Sequence, residues 1–359
     1  MKSSFRIFSI SGIEIRIHFT LFIILIVLSY ILYINPFPFG FGDVEYSQSI
    51  RILLSIFSSI GLFVAVLVHE LSHSLLSKRS GIKVKGILLF IFGGVSLLEK
   101  FPKEPEKEIL IALAGPLTSF GIAGGAYMIS LTGVPAVSEF FKVFFFFNLV
   151  LGLFNLIPAF PLDGGRILRG FIARKTDFVR ATQIAAGVGK SFAIFMGIFG
   201  LLAFSPWLIL IALFIYMGAN EEERMAVVEG ILVGSRVSDV MTPNPVTVSS
   251  DSLVKEVLDL MFKTKHLGYP VVEEEKVIGI VTLQDVARVP PDTPVSELMT
   301  RDVVTILPEM STFDAFKLMN ERNIGRLPVV DKNGNLVGIV SRTDLMRVLE
   351  VVGAIRGGK

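Results

Sequence analysis

Six apolar stretches fill most of the chain up to Asn220: 19–34, 52–77, 109–131, 140–160, 181–204 and 206–220. Lipid offers no partner to a backbone N–H or C=O, so a segment that crosses a bilayer must satisfy both itself. A helix does so with roughly 20 largely apolar residues. The pattern predicts a polytopic α-helical membrane domain of about six transmembrane helices, with glycine-rich turns blurring the edges of the last two. Apolar residues make up 52% of the 359 and charged residues 18%, against roughly 25% charged in an average soluble chain. A disordered tail protein, a collagen and an ordinary soluble enzyme are excluded. No small-residue cleavage site follows the first apolar run, so the N-terminus does not read as a cleavable signal peptide.

The charge balance changes at Asn220. Residues 1–220 hold 18 Lys and Arg against 11 Asp and Glu, and residues 221–359 hold 16 against 21. The second part, opened by Glu221-Glu222-Glu223-Arg224, reads as soluble and slightly acidic. A whole-chain charge of +2 gives no reason to expect a nucleic-acid partner. The absence of cysteine excludes a disulfide scaffold, thiolate metal sites and a cysteine nucleophile. Lys and Arg collect ahead of the first span, at Lys2, Arg6 and Arg16, and again over 78–107 and 166–180, and nearly vanish after the first and third spans. Under the positive-inside rule, six spans with both termini in the cytoplasm satisfy every loop. The chain is then a multi-pass protein of the cell membrane with its acidic part in the cytosol.

Residues 86–98 (GILLFIFGGVSLL) are apolar but too few to span. Their β-branched and aromatic content, with Gly93-Gly94 in mid-run, predicts a membrane-associated β-hairpin, either a passive surface pair or a functional one.

The second apolar stretch contains Val68-His69-Glu70-Leu71-Ser72-His73. Positions i and i+4 of a helix share a face, so both imidazoles reach one metal ion, with Glu70 beside it as a base for a water. A metal brings that water's pKa toward roughly 7. Three ionisable groups so close together at membrane depth are costly and call for a shared cause, and a metal supplies one. Catalytic zinc takes three protein ligands and leaves one position open, so a third ligand must come from elsewhere. Up to Asn220 the chain holds Asp only at 43, 163 and 177. Asp163 follows Pro158 and Pro161, which break the fourth span, and precedes Gly164-Gly165, read as a tight turn. Alone it could cap an amphipathic helix over 166–174. Joined to the H-E-x-x-H it is the candidate third ligand, since all three groups fall toward the cytoplasmic ends of their spans.

These residues resemble the site-2 proteases, intramembrane zinc metalloproteases. The resemblance covers about residues 1–220 and rests on the H-E-x-x-H and on the distant N-x-x-P-x-x-P-x-D-G-G string from Asn155 to Gly165. It implies that His69, His73 and Asp163 bind one zinc per chain and that Glu70 is the catalytic base and acid. It further implies that Asn155 steadies the substrate or oxyanion, and that the Gly93-Gly94 hairpin pairs with an unwound substrate. Such pairing is β-augmentation. A substrate helix shields its carbonyls by internal hydrogen bonds, so it must unwind before attack, and water must reach the site through a wet cleft. His18, opening the first span, reads as an interfacial histidine.

Residues 237–289 and 295–348 repeat each other. V-S-D-V-M-T at 237 matches V-S-E-L-M-T at 295, Y-P-V-V at 269 matches L-P-V-V at 327, and G-I-V-T-L-Q-D at 279 matches G-I-V-S-R-T-D at 338. Paired α/β units sharing a buried face follow. Each unit resembles the cystathionine-β-synthase (CBS) domain, and two form a Bateman module. The resemblance implies adenine-nucleotide binding (AMP, ADP or ATP), with Asp285 and Asp344 holding ribose hydroxyls and Thr282 and Ser341 contacting phosphate or sugar. It also implies a homodimer through the CBS pair.

The expected organisation is a transmembrane metalloprotease domain (1–220), a linker (221–235), CBS domain 1 (236–292), CBS domain 2 (293–352) and a tail (353–359). The expected function is zinc-dependent cleavage of transmembrane protein substrates within the lipid bilayer, regulated by nucleotide. The alternative is a nucleotide-regulated metal transporter or channel, which would have no need of Glu70.

Overall fold

The computed structural model describes residues 4–91, 93–98, 104–232 and 235–348. The chain separates into two compact units, 1–226 and 227–359. The expected tail, 353–359, and the end of CBS domain 2 lie outside the described residues.

The first unit opens with a hairpin of β1 (Ser4–Ile10) and β2 (Ile13–His18), followed by α1 (Thr20–Ile34) and α2 (Gln48–Arg79). Next come β3 (Val84–Phe90) and β4 (Gly93–Leu98), then α3 (Pro105–Ser130), α4 (Pro135–Asn155), α5 (Asp163–Ala173), α6 (Phe178–Leu202) and α7 (Pro206–Leu232). Among the described residues, α2, α3, α4 and α6 are long and apolar enough to cross a membrane. The other two expected spans are helical but shorter in apolar length: α1 has 15 residues, and the apolar run of α7 ends where Glu221 opens the acidic cluster.

Burial in this unit is that of a membrane protein. Helix α2 buries Ser55, Ser58, Ser59, Ala65, Ser74 and Ser77 along with its two histidines, while Phe57, Ile60 and Val64 stay exposed. Small residues let helix backbones approach closely where lipid supplies no hydrophobic drive, and large apolar side chains then face the lipid.

The expected hairpin is present: β3 and β4 pair antiparallel, Phe90 opposite Gly93 and Ile87 opposite Ser96. It belongs to a larger sheet that sequence reasoning missed, with strand order β1-β2-β3-β4 and β2 parallel to β3. The signal was there: Ile13, Ile15 and Ile17 alternate with Glu14, Arg16 and His18, the period-two pattern of a half-buried strand. Ile13 and Ile15 are buried accordingly.

Several boundaries differ from expectation. Helix α4 stops at Asn155, short of the end of the apolar stretch, because Pro158 and Pro161 cannot continue it. Gly164 and Gly165 form the first turn of α5 rather than a separate tight turn. Their lack of side chains is still required, since a Cβ on either would strike the backbone of the 156–160 loop folded over that turn. Helix α7 continues through the acidic cluster to Leu232, so most of the expected linker is helical; Glu, Arg, Met and Ala are good helix formers.

The second unit contains α8 (Val237–Val240), β5 (Thr242–Pro243), α9 (Val254–Thr264), β6 (Gly268–Glu273), β7 (Lys276–Thr282) and α10 (Leu283–Val286). A 3-10 turn at Val295–Glu297 precedes α11 (Thr312–Arg322), β8 (Arg326–Val330), β9 (Leu336–Ser341) and a helix over 342–348. The repeat is structural as well as sequential. Val248 bridges Val271 in parallel, and the equivalent Ile306 of the second repeat bridges Val329. The two halves interlock: β5 pairs with β9 of the second repeat, and Val237 is buried in that repeat's core. Val295 and Met299 are buried in the core of the first.

Candidate metal centre

His69 and His73 lie one turn apart on α2, 3% and 7% exposed. Asp163 opens α5, where a negative charge suits the partial positive charge of a helix N-terminus. The chain between His69 and Asp163 folds so that three atoms form a triangle. Asp163 Oδ2 stands 3.3 Å from His69 Nε2 and 3.2 Å from His73 Nε2, and the two Nε2 atoms are 3.2 Å apart. Among the described residues this is the one cluster of metal-binding side chains with ligand atoms this close.

The spacing fits zinc. Nitrogen and oxygen ligands sit about 2.0–2.2 Å from tetrahedral zinc, which places them about 3.3 Å from one another. The donor chemistry fits as well. His73 Nδ1 lies 2.6 Å from the Ile111 carbonyl oxygen, which only accepts, so Nδ1 carries the hydrogen. In neutral His73 the Nε2 lone pair then faces the Asp163 carboxylate, a repulsive contact that a cation between them makes attractive. His69 Nδ1 is held at 2.8 Å from Ser119 Oγ. Both imidazoles thus have the outer partner that orients a metal-binding histidine.

Helix α3 supplies both partners and a gap for the rings. A methyl group at Gly115 would collide with the Nε2 atoms of His69 and His73. Pro116, inside the helix, removes the N–H that the Ala112 carbonyl would otherwise accept. Sequence reasoning missed Ser119, Ile111 and Gly115. The Gly115-Pro116 pair inside an apolar span was the available signal, since such breakers at membrane depth mark irregular backbone in a protein-lined site.

Glu70 faces a cavity of about 480 Å³ that also presents His69, His73, Asp163, Asn155 and Ser96. Ser96 Oγ donates to Glu70 Oε2 at 2.8 Å and lies 3.0 Å from Ser74 Oγ. Strand β4 forms one wall through Gly93, Gly94, Val95 and Ser96. Gly94 presses so closely that a Cβ there would stand 2.5 Å from Glu70 Cγ. Asn155 lines another part of the wall and donates from Nδ2 to the Leu151 carbonyl of its own helix, 2.9 Å. His18 is not among the cavity residues; its Nδ1 is 2.9 Å from Thr20 Oγ1, which accepts from the Ile91 N–H at the hairpin tip.

Behind the site, Arg169 of α5 is ion-paired to Glu108 of α3, both side chains 3% exposed. The guanidinium also lies over the rings of Phe160 and Phe178 and 3.4 Å from Glu222 of α7. The charge pattern of the sequence places Arg169 among exposed loop cations; it is instead buried, and with Glu108 it fixes α5, and so Asp163, against α3.

In the second unit, Asp285 Oδ2 accepts from the N–H and the hydroxyl of Thr282, 2.7 Å each. Asp344 Oδ2 does the same with Ser341, 2.9 and 2.6 Å. The four expected nucleotide contacts thus form two identical helix-capping pairs. Each leaves Asp Oδ1 without a partner among the described residues.

A helical membrane domain whose H-E-x-x-H helix and remote aspartate meet at one buried point beside a cavity is a membrane-embedded metalloprotease. Comparisons with known proteins agree. The profile of Peptidase family M50 matches residues 57–136 and 132–196, and that of the CBS domain matches 237–292 and 295–351. A zinc metalloprotease of Methanocaldococcus jannaschii is 38% identical over 98% of this chain and 98% of its own length. A Mycobacterium tuberculosis protein assigned by name to the zinc metalloproteases is 30% identical over 98% of this chain and 94% of its own. Among solved structures, a site-2 protease from Methanocaldococcus jannaschii is 40% identical, covering 62% of this chain and 95% of its own at a TM-score of 0.44. The chain belongs to peptidase family M50, the zinc metalloproteases, and carries a pair of CBS domains. It is a multi-pass membrane hydrolase.

Proposed function

We propose that the chain cleaves transmembrane segments of other proteins within the bilayer. His69, His73 and Asp163 hold one zinc, and the observation that supports this most is their triangle of 3.2–3.3 Å. Bound zinc supplies Lewis acidity toward a water and the scissile carbonyl. Glu70 takes a proton from the attacking water as the new C–O bond forms. It returns that proton to the amide nitrogen as the C–N bond breaks. Ser96 holds the Glu70 carboxylate toward the cavity. Asn155 spends one Nδ2 hydrogen on Leu151 and keeps the other for the developing oxyanion. Strand β4 is the sheet edge that lines the cavity, so an unwound substrate adds to it, with Gly93 and Gly94 giving room beside Glu70.

The remaining assignments are part of the same reading. Residues 1–220 form the protease domain, 221–235 the connection, and 236–292 and 293–352 the two CBS domains. Both termini and the CBS pair are cytosolic. Asp285 and Asp344 use their uncommitted Oδ1 atoms on ribose hydroxyls of an adenine nucleotide, with Thr282 and Ser341 beside the phosphate, and the CBS pair mediates dimerisation.

The test is hydrolysis of a membrane-spanning peptide by the purified full chain. The wild type should release two fragments and Glu70→Gln should not. A Glu70→Gln variant that still cuts would remove the assigned chemistry. Calorimetric titration of the full chain with AMP and ATP tests the nucleotide role, and no binding heat would remove that part alone.

A further inference from the structure

The C-terminal end of α2 meets the β1–β2 turn and the start of β3 around a second cavity, of about 510 Å³. It is lined by Gly12, Gly81, Lys78, Lys83 and Lys85 among others. The three lysines are exposed. Lys78 Nζ donates to the Ser11 carbonyl, a neutral acceptor. None of the three has a carboxylate partner among the described residues. The nearby Glu14 is taken by Arg6 and Arg16. Gly12 (φ +76°) and Gly81 (φ +82°) turn the chain on the rim without side chains that would fill the opening.

The cavity stands at the edge of the lipid layer. Helix α2 is 32 residues long, is apolar enough to cross a membrane, and ends in Lys78-Arg79. From the Ser11–Gly12 turn, β1 runs back toward the start of α1, about 17 Å over five residues, and exposes Phe5, Ile7 and Phe8. Phe5 stacks on Phe22 of α1, centroids 6.3 Å apart and planes within 9°, and Phe22 is itself exposed. One end of the sheet is therefore a cationic hollow with no carboxylate partner among the described residues. The other continues the apolar surface of a membrane helix.

We propose that the Lys78–Lys83–Lys85 cavity binds the phosphate of an anionic phospholipid headgroup, with the acyl chains lying along Phe5, Ile7 and Phe22. Three clustered ammonium groups select against a zwitterionic headgroup, whose choline brings a like charge into the same hollow. The adjoining apolar strand selects against a soluble anion. The site rests on the chain spanning a bilayer and is independent of its proteolytic chemistry.

The test is native mass spectrometry of the detergent-purified full chain. It is titrated with phosphatidylglycerol or phosphatidylcholine of identical acyl chains, each with and without inorganic phosphate. The wild type should retain one phosphatidylglycerol with a preference of at least about tenfold, each basic residue near a lipid surface contributing roughly fivefold. The Lys78→Gln/Lys83→Gln/Lys85→Gln variant should lose that preference to within about threefold, while Lys276→Gln/Lys332→Gln keeps it. Equal retention of the two lipids by the wild type would overturn the proposal without recourse to any variant. An undiminished preference in the triple variant would overturn it too. Displacement of the lipid by millimolar inorganic phosphate would make this a soluble-anion site and also overturn it.

Discussion

His73 Nδ1 lies 2.6 Å from the carbonyl oxygen of Ile111, and this contact decides which ring nitrogen faces Asp163. A backbone carbonyl cannot donate, so the hydrogen belongs to Nδ1 and Nε2 is left as a ligand atom. Ile111 is on α3, so that helix prepares the donor set for α2. Removing the equivalent support for His69 should weaken metal retention without removing a ligand. Ser119→Ala is expected to lower zinc affinity by about 10–100-fold, read as faster zinc loss to a competing chelator.

Glu70 is beside the ligand triangle but is not part of it. Glu70→Gln should keep one zinc per chain and lose hydrolysis by roughly 10²–10⁴-fold, the usual share of a general acid and base. Rates and zinc content measured on the same preparation check both halves.

Two glycines separate metal holding from base placement. Gly115→Ala drives a methyl into both imidazoles, so it should lose zinc and activity together. Gly94→Ala drives one into Glu70 Cγ from β4, so it should keep zinc and lose turnover. Elemental analysis beside a turnover assay distinguishes them, and the same phenotype from both would contradict the placement of β4.

The turn before β9 carries an acid-sensitive contribution in the soluble unit. Backbone N–H groups of Asn335 and Asn333 donate to Asp331 and hold its carboxyl below the ordinary carboxylate range. A depressed folded-state pKa stabilises the fold above the unfolded value of about 3.9, and that contribution is lost as pH falls below it. Asp331→Ala should therefore melt lower than wild type at pH 7, and the difference should shrink as pH falls below about 4. Thermal melts of the full chain across that range check the sign.

Much of the fold and site was legible in the sequence, because lipid enforces simple patterns. Helical spans need long apolar runs, and histidines i and i+4 share a face wherever the helix goes. The Asp163 pairing was legible because aspartates are scarce before Asn220. The β1–β2 hairpin was not: its alternation is short and half of β2 is polar, so these residues registered only as cations ahead of the first span. Arg169 was misread because a cation near a span end looks like a loop charge. Only the fold shows Glu108 and two aromatic rings waiting for it. Ser96 and Ser119 were invisible because a serine's role depends on what packs against it, and α2 alone buries several.

The most direct measurement is zinc stoichiometry of the purified full chain by elemental analysis, wild type against Asp163→Ala, prepared and dialysed together. One zinc per wild-type chain and a large loss in the variant is the predicted result. Equal zinc in both, with Asp163→Ala still folded, would show that this carboxylate, remote in sequence from His69, does not share its ion.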